Sequence, residues 1–378
     1  MKIIVDENIP QGKEAFDGFG EIILSNGRQI TNEVLKDADI LIIRSITQVN
    51  EQLLKNSKIR FVGTATIGTD HVDKEYLAKK DICFADAAGC NAFSVAEYVI
   101  CAINQYLIKN GKKFSDISIG VIGYGNVGTK VVSFAKAMGM DVIINDPPLE
   151  RQTDQKIFSP LDKALEADVV TFHVPLNKTG IDKTYHLLNE TNINQIKSGA
   201  MLINSSRGPV VKNDILLKRL KEQADLFSVL DVWENEPQLN IELLNKVDIG
   251  TPHIAGYSYE GKINGTKIIY DKLCEFLKIQ HNWQPYYPAI EKDTFTFASY
   301  KFFENEFDEL TKKIYDITFD SANLKAALKI ANNQVPIYFD ELRKKYRIRR
   351  EFNNYTIKIS ESDSLLKERF SSLRFKVI

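Results

Sequence analysis

The hydrophobic positions of residues 1–94 fall into short apolar runs separated by stretches with helical periodicity. Turn residues close most of these runs, and the alternation is typical of a parallel α/β sheet. The pattern predicts strands over Lys2–Val5, Glu21–Leu24, Ile40–Arg44, Phe61–Thr64 and Ile82–Ala85. A long helix is then predicted from Ser94 to Asn110, because apolar residues such as Val95, Val99 and Ile103 recur on one face.

The same alternation restarts at Ile117 and predicts a second α/β unit. Its strands are expected over Ser118–Ile122, Asp141–Asn145, Val169–His173, Met201–Asn204 and Leu226–Leu230. Two sheets, each with its own helices, predict a cleft between two domains, and such clefts are where small ligands usually bind. The fold class expected for this part is α/β, with two Rossmann-like or flavodoxin-like parallel-sheet domains.

The segment Gln284–Pro288 resembles a linker, and no glycine follows it. Beyond it the pattern predicts a mixed α+β segment with these elements: a strand over Thr294–Ala298, helices over Phe302–Tyr315 and Ala322–Asn332, a strand over Tyr355–Ile359 and an apolar end over Arg374–Ile378. A chain of this length is close to the smallest that folds alone, so this tail is expected to need a partner surface.

Composition narrows the class of protein. A chain of 378 residues with 44% hydrophobic and 26% charged residues is ordinary for a protein of two or three globular domains. The net charge of −1 provides no field that would attract nucleic acid or an anionic membrane. Met1–Asp6 reads as a strand rather than a signal peptide, and no apolar run could span a bilayer. The four cysteines lack metal-ligand spacing, so we expect no metal site. We expect a cytoplasmic protein in which these cysteines are reduced.

A glycine-rich turn follows the first strand of the second unit. Gly123, Gly125 and Gly128 form the pattern Gly-x-Gly-x-x-Gly, and Asn126 and Val127 open a segment with helical periodicity. In dinucleotide-binding folds the first glycine allows the tight turn, the second admits the pyrophosphate and the third lets the helix pack on the strand. The N–H groups at the start of the helix then bind the phosphates.

An acidic residue at the end of the next strand strengthens this interpretation. Asp146 lies 18 residues after Gly128, where a carboxylate can accept hydrogen bonds from both ribose hydroxyls. The same carboxylate repels a 2′-phosphate, and Pro147-Pro148 follows it without an arginine. The sequence therefore predicts NAD rather than NADP.

Three polar residues downstream match the needs of hydride transfer from an alcohol. This chemistry requires a group that exchanges the hydroxyl proton and a cation that holds the oxygen or a carboxylate of the substrate. His253 lies in a loop framed by proline and glycine, and Glu236 beside it would fix the imidazole tautomer and favour its protonated form. Arg207 follows another strand, where its planar fork can bind a carboxylate through two hydrogen bonds.

The other histidines fit this chemistry less well. His71 lies on a turn into a helix and is expected to be structural. His173 ends a strand and is expected to line the cofactor site without titrating. His186 and His281 have no supporting context and are expected to be packing or surface residues.

These motifs, taken in order, resemble the D-isomer-specific 2-hydroxyacid dehydrogenase family. They are the glycine turn, His173-x-Pro175-Leu176, Asn204-x-x-Arg207-Gly208, Asp231-Val232-x-Glu234-x-Glu236-Pro237 and Pro252-His253-Ile254-Ala255-Gly256. Val174 departs from the threonine of many relatives. The resemblance implies that His253 exchanges the proton with Glu236 and Arg207 as its partners. It also implies NAD contacts from Gly123, Gly125, Asn126, Val127, Gly128, Asp146, His173, Pro175, Ser206, Asp231 and Gly256.

Within the family, Pro252–Lys262, a short N-terminal half and a C-terminal extension of this size resemble the members that act on 4-phospho-D-erythronate. That resemblance implies oxidation at C2 with NAD, in the biosynthesis of vitamin B6, and a homodimer. It divides the chain into a substrate-binding domain (1–94 with 258–285), an NAD-binding domain (95–257) and a dimerisation domain (286–378). Two alternatives stay open: another D-2-hydroxyacid dehydrogenase, such as one for 3-phosphoglycerate, and a non-catalytic NAD-sensing scaffold.

A phosphorylated substrate needs further contacts. The resemblance implies Ser45, Thr66 and Tyr257, and Arg44 adds a cation at the end of a predicted strand. In the tail, Arg349 and Arg350 belong to the basic cluster Arg347-Ile348-Arg349-Arg350, and one hypothesis is that Arg349 or Arg350 reaches the substrate phosphate of a neighbouring subunit. A solvated basic face explains the cluster equally well.

Overall fold

The computed structural model describes residues 1–280, 282–298, 301, 303–360 and 363–378. The strands are β1 Lys2–Asp6, β2 Glu21–Ser25, β3 Ile40–Ile43, β4 Phe61–Thr64, β5 Cys83–Asp86, β6 Ser118–Ile122, β7 Asp141–Asn145, β8 Val169–Phe172, β9 Met201–Asn204, β10 Phe227–Leu230, β11 Ile249–Gly250, β12 Thr294–Thr296, β13 Thr356–Lys358 and β14 Lys376–Val377. The α-helices are α1 Gly12–Phe16, α2 Asn32–Leu35, α3 Glu51–Leu54, α4 Lys74–Lys79, α5 Ala92–Asn110, α6 Asn126–Ala137, α7 Pro147–Gln152, α8 Leu161–Leu165, α9 Asn213–Glu222, α10 Ile241–Lys246, α11 Tyr259–Leu277, α12 Phe303–Ile314, α13 Ile317–Lys325, α14 Val335–Lys344 and α15 Ser364–Ser372.

The chain forms two compact units, and the first contains residues 1–91 and 259–290. Its five-stranded sheet is parallel with the order β2-β1-β3-β4-β5, as in flavodoxin-like folds. Continuous apolar runs such as Ile40–Ile43 are buried on both faces, as a parallel sheet requires. Helix α11 covers one face of the sheet, where Ile269 and Leu273 share a core with Phe61.

The second unit contains residues 92–258 and 291–378. Its six-stranded sheet is parallel with the order β11-β10-β9-β8-β6-β7, and Phe158 adds an isolated bridge beside β7. Counted with that bridge, the order along the sheet is that of a Rossmann fold, in which the chain reverses direction between β6 and β8. Ligands of such sheets bind outside the carboxyl ends of the strands at this reversal.

The C-terminal residues of the second unit add a small three-stranded parallel sheet, β12-β13-β14, and helices α12 to α15. Aromatic rings fill its core: Phe352 stacks on Phe375 at 4.5 Å, and Phe297 meets Phe370 at 4.7 Å between centroids. This segment packs on α5, where the Asn104 amide donates to the Glu304 carbonyl at 3.0 Å. The tail is therefore an integral part of the second unit.

The predicted α/β fold class with a C-terminal α+β segment is confirmed. The predicted strands of both sheets occur within one or two residues of their expected ends. The helix predicted over Ala322–Asn332 is confirmed only in part: α13 spans Ile317–Lys325, and a 3-10 turn follows over Ala326–Lys329. Helix α13 begins earlier than predicted because the Asp316 side chain caps it by accepting hydrogen bonds from two backbone N–H groups. Helices α14 and α15 were not predicted, and Phe302 lies outside the described residues. The proposed domain boundaries and the cleft stay predictions.

Candidate active site

One edge of the six-stranded sheet collects the predicted motifs, because its strands are all parallel and each motif follows a carboxyl end. The glycine turn follows β6, Asp146 follows β7, His173 follows β8, Arg207 follows β9, Glu236 follows β10 and His253 follows β11. This is the edge at which α/β sheets bind their ligands. Motifs that are far apart in the sequence therefore lie along one edge of the sheet, because the strands they follow are parallel neighbours.

His253 and Glu236 are in direct contact. The Nδ1 atom of His253 lies 2.5 Å from Oε1 of Glu236, and both side chains are partly exposed. The other carboxylate oxygen of Glu236 accepts a hydrogen bond from the Trp233 N–H at 3.1 Å. Burial acts to raise the pKa of the Glu236 carboxyl, but the charge and hydrogen bond of His253, the charge of Arg343 and the Trp233 N–H together lower this pKa. The carboxylate therefore stays ionised and holds the imidazole by Nδ1, which leaves Nε2 for a substrate.

The loop that carries His253 is held by Asp231, which is 1% exposed. One Asp231 carboxylate oxygen accepts from the Ile254 N–H at 2.7 Å and the Thr251 hydroxyl at 2.6 Å, and the other from the Ala255 N–H at 2.9 Å. His253 itself has a left-handed backbone with φ of 57°, which is uncommon for a residue other than glycine. A buried carboxylate thus fixes the loop in a conformation that presents the imidazole at the sheet edge.

Arg207 lies in a turn that Asn204 organises. The buried Asn204 donates to the Arg207 carbonyl at 2.9 Å and accepts from both the N–H and the hydroxyl of Ser206. Gly208 packs so closely that a Cβ there would lie 2.1 Å from the carbonyl carbon of Trp233. The Arg207 turn and the segment that carries Glu236 are therefore in contact, as the register of β9 beside β10 requires.

The glycine turn has the geometry that a dinucleotide needs. A Cβ on Gly128 would lie 1.9 Å from the Gly123 carbonyl oxygen, so only glycine lets α6 approach β6 this closely. A Cβ on Gly125, at the start of α6, would meet no atom within 4 Å. Close packing at Gly128 and open space at Gly125 fit a pyrophosphate at the N-terminus of α6, where N–H groups of Asn126 and Val127 begin the helix.

Asp146 lies beside this turn at the end of β7. Its carboxylate accepts from the Tyr124 N–H at 2.7 Å and caps α7 through the Leu149 N–H at 3.0 Å. A carboxylate has about four acceptor positions, so two remain for other donors. Asp146 thus joins the glycine turn to α7 and keeps acceptors for a pair of ribose hydroxyls.

His173 faces the same turn, since a Cβ on Gly123 would lie 2.5 Å from the His173 carbonyl oxygen. Its Nε2 lies 2.9 Å from the Thr171 hydroxyl, and its buried Nδ1 has no hydrogen-bond partner in the described residues. Burial lowers the pKa of His173 to about 3, so the ring is neutral at physiological pH. Pro175 is exposed nearby, and the roles of both residues toward NAD stay predictions.

Two other histidines have partners of their own. His186 lies 2.6 Å from Glu234, and the buried His71 lies 3.2 Å from the Thr64 hydroxyl. Both contacts are consistent with structural roles. His281 lies outside the described residues.

The predicted substrate residues of the first unit lie at the carboxyl ends of β3 and β4. The Arg44 guanidinium pairs with the buried Asp6 at 3.1 Å, and Ser45 beside it is exposed. Thr66 is half-buried and lies 2.9 Å from the Thr64 hydroxyl. Their contacts with a substrate stay predictions.

Arg349 requires a correction. It is 2% exposed, and its guanidinium donates to the carbonyls of Ser94 and Ala255 and pairs with Glu97 at 3.3 Å. A group enclosed in this way within its own chain cannot extend to a phosphate on another subunit, so we assign it a structural role. Arg350 is also buried and donates to Asn354 at 2.8 Å; its role in substrate binding stays a prediction.

The tail contributes a different cation that the sequence did not indicate. Arg343, near the end of α14, donates to the Tyr257 hydroxyl at 2.8 Å and interacts electrostatically with Glu236. No motif marks it, and it lies 90 residues after His253 in a helix that was not predicted. Only the folded chain brings it to the site.

Comparisons with known proteins show the family of the chain. A family model described as "D-isomer specific 2-hydroxyacid dehydrogenase, NAD binding domain" matches residues 102–255, and a domain of unknown function matches 288–373. The fold and the site thus define the class as NAD-dependent dehydrogenases of 2-hydroxy acids.

The chain is 44% identical to "Erythronate-4-phosphate dehydrogenase" of Enterobacter sp. (strain 638), over 96% of both chains. It is 39% identical to the protein of the same name from Marinobacter nauticus, over 100% of both. The chain belongs to the erythronate-4-phosphate dehydrogenase family, a branch of the D-isomer-specific 2-hydroxyacid dehydrogenases.

Solved structures show the same fold. A D-lactate dehydrogenase from Aquifex aeolicus with NAD and lactic acid is similar with a TM-score of 0.62 at 24% identity, covering 74% of this chain and 96% of that one. A 3-phosphoglycerate dehydrogenase from Entamoeba histolytica with NAD gives 0.63 at 24%, covering 76% and 99%. In the described part of this chain no helix is long and apolar enough to cross a membrane.

Proposed function

We propose that this protein oxidises 4-phospho-D-erythronate at C2 to 2-oxo-3-hydroxy-4-phosphobutanoate with NAD, as a step in the biosynthesis of pyridoxal 5′-phosphate. The observation that carries the proposal is the His253–Glu236 pair at the sheet edge that also bears the glycine turn and Arg207. Relatives that share the whole length of the chain, including the tail, carry the name of this activity.

The proposed roles follow from the contacts of each side chain. The Nε2 atom of His253 accepts the proton of the C2 hydroxyl, because Glu236 occupies Nδ1 and stabilises the imidazolium that forms. The guanidinium of Arg207 binds the substrate carboxylate and fixes C2 relative to His253. When bound, NAD supplies the acceptor for the hydride that leaves C2. The glycine turn, Asp146, His173, Pro175, Ser206, Asp231 and Gly256 are proposed to hold the cofactor.

Substrate binding is proposed to involve Ser45, Thr66 and Tyr257, with Arg44 as a nearby cation. We further propose that the protein is cytoplasmic and forms a homodimer through residues 286–378. Large apolar side chains of this segment, among them Ile337 and Ile348, are more than 60% exposed, and an apolar surface of this kind favours a protein partner.

A substrate comparison tests the proposal. Purified protein is incubated with NAD and 4-phospho-D-erythronate, 3-phosphoglycerate or D-lactate, and NADH formation is followed by absorbance. We expect the highest kcat/KM with 4-phospho-D-erythronate and a loss of turnover in His253→Ala. A higher kcat/KM with 3-phosphoglycerate would reverse the assignment, and no turnover of any 2-hydroxy acid would favour an NAD-binding scaffold.

A further inference from the structure

Helix α14 of the C-terminal segment brings a cation to the catalytic loop of the same chain. The Nη2 atom of Arg343 donates to the Tyr257 hydroxyl at 2.8 Å, and its guanidinium carbon lies 5.5 Å from the centre of the Tyr257 ring. The helix is anchored by Val335 and Phe339, which are buried in the core of the second unit. Phe339 also supports the guanidinium, 5.8 Å from its ring.

The same guanidinium acts on the catalytic carboxylate. Burial raises the pKa of Glu236, and His253 lowers it. The positive charge of Arg343 lowers this pKa further. Among the described residues, His253 and Arg343 are the two groups whose charges contribute most to lowering it. The nearby Glu234 is occupied elsewhere, since its two oxygens contact His186 and the Asn213 N–H.

The surroundings of Arg343 leave its charge directed at this site. Besides Glu236 and Tyr257, Asp340, one turn earlier on α14, acts on its charge. Its Nε–H is buried and has no hydrogen-bond partner in the described residues. A guanidinium that is partly desolvated interacts with a neighbouring carboxylate more strongly than one in water.

We propose that Arg343 is a positioning residue of the active site, which fixes the Tyr257 hydroxyl by a hydrogen bond and places a positive charge near the Glu236–His253 pair. This inference rests on the proposed function. It gives the tail a part in catalysis within its own subunit, in addition to any role in dimerisation.

The proposal has a consequence for pH dependence. Proton uptake at Glu236, whose Oε1 lies 2.5 Å from His253 Nδ1, depends on the charges around this carboxyl. A nearby cation disfavours that uptake, and its removal lets the pair bind a proton at higher pH. The acidic limb of kcat/KM for oxidation, where the pair becomes protonated, therefore moves upward when the charge of Arg343 is lost.

Two variants of Arg343 separate charge from structure. Arg343→Gln removes the charge and keeps an N–H donor. Arg343→Lys keeps the charge but replaces the planar guanidinium by an ammonium on a shorter side chain. The control is Lys344→Met, which removes a positive charge from the next, exposed position of the same helix. Each protein is checked for folding by circular dichroism and thermal unfolding, and kcat and KM are then measured across the pH range with 4-phospho-D-erythronate.

We expect Arg343→Gln to raise the acidic limb by about one pH unit, while Arg343→Lys and Lys344→Met retain the wild-type limb. Arg343→Lys is expected to raise KM, because the shorter, non-planar ammonium side chain does not hold the Tyr257 hydroxyl as the guanidinium does. Identical limbs in the Gln and Lys variants would overturn the proposal, as would a failure of both to fold, since either result assigns Arg343 a structural role alone. Failure of the proposed function is distinct: the wild-type protein would then not turn over this substrate.

Discussion

Replacement of Glu236 by glutamine tests the catalytic pair most sharply. The amide is nearly the same size as the carboxylate but carries no charge, and it has one acceptor oxygen for two donors. In the wild-type protein those donors are His253 Nδ1 at 2.5 Å and the Trp233 N–H at 3.1 Å. If the amide oxygen faces Trp233, its NH₂ group faces Nδ1, and the imidazole must carry its proton on Nε2. That tautomer cannot accept a proton from a substrate hydroxyl.

The size of the effect follows from the bond that is lost. A hydrogen bond to a charged group contributes about 1.5–3 kcal/mol. Since 1.36 kcal/mol corresponds to about tenfold in rate, Glu236→Gln should lower kcat/KM by roughly 10- to 150-fold. A complete switch to the wrong tautomer would extend the loss toward about 10⁴-fold, the effect of the corresponding change in serine-protease triads.

The chain offers a matched control two residues away. Glu234 also pairs with a histidine, His186, at 2.6 Å and accepts a backbone N–H, but it lies outside the proposed catalytic pair. NADH formation with 4-phospho-D-erythronate would be compared for Glu236→Gln and Glu234→Gln, with thermal unfolding to verify both folds. We expect the large loss only in Glu236→Gln. A Glu236→Gln protein that keeps more than about half of the wild-type kcat/KM would refute the role of the pair, since even the weakest expected effect is about tenfold.

Four further substitutions probe the cofactor turn and a buried ion pair of the tail. Gly125→Ala places a methyl group in open space, so we expect an unchanged melting temperature but a KM for NAD raised about tenfold or more. In Gly128→Ala the new Cβ would lie 1.9 Å from a backbone oxygen, so this variant should have a lower melting temperature. Asp146→Ser keeps a helix cap but loses the charge, so kinetics with both cofactors should show a weaker preference for NAD over NADP at nearly constant stability. Arg349→Met leaves Glu97 buried without its cation and should cost about 3–5 kcal/mol in urea unfolding. Because burial raises the pKa of Glu97, this loss should be smaller in mildly acidic than in alkaline buffer, and equal losses would contradict the pairing.

Much of the site was accessible from the sequence because it depends on local patterns. The strands of both sheets are apolar runs bounded by turns, and parallel pairing then places His253, Glu236 and Arg207 at one edge. Their order after a glycine turn predicted a dehydrogenase, because hydride transfer from an alcohol needs a base, an acid that orients it and a cation.

The contacts of the tail were not accessible in this way. Arg349 belongs to a basic cluster in the sequence and Arg343 lies six residues before it, yet Arg343 reaches the catalytic loop and Arg349 is enclosed against α5. The direction of each arginine side chain depends on tertiary packing between residues up to 255 positions apart. Hydrophobic periodicity along the sequence does not predict such contacts. The prediction for Asp231 was also incomplete. Its carboxylate organises the loop of His253, which the sequence motif does not indicate.

The most direct test of the central claim follows the hydride itself. Protein is incubated with NAD and 4-phospho-D-erythronate that carries deuterium at C2, and the NADH recovered from the protein and from solution is analysed by mass spectrometry. Deuterated NADH from the wild type, together with none from His253→Ala, is the result that our account requires. Unlabelled NADH, or label transfer that persists undiminished without His253, would contradict it.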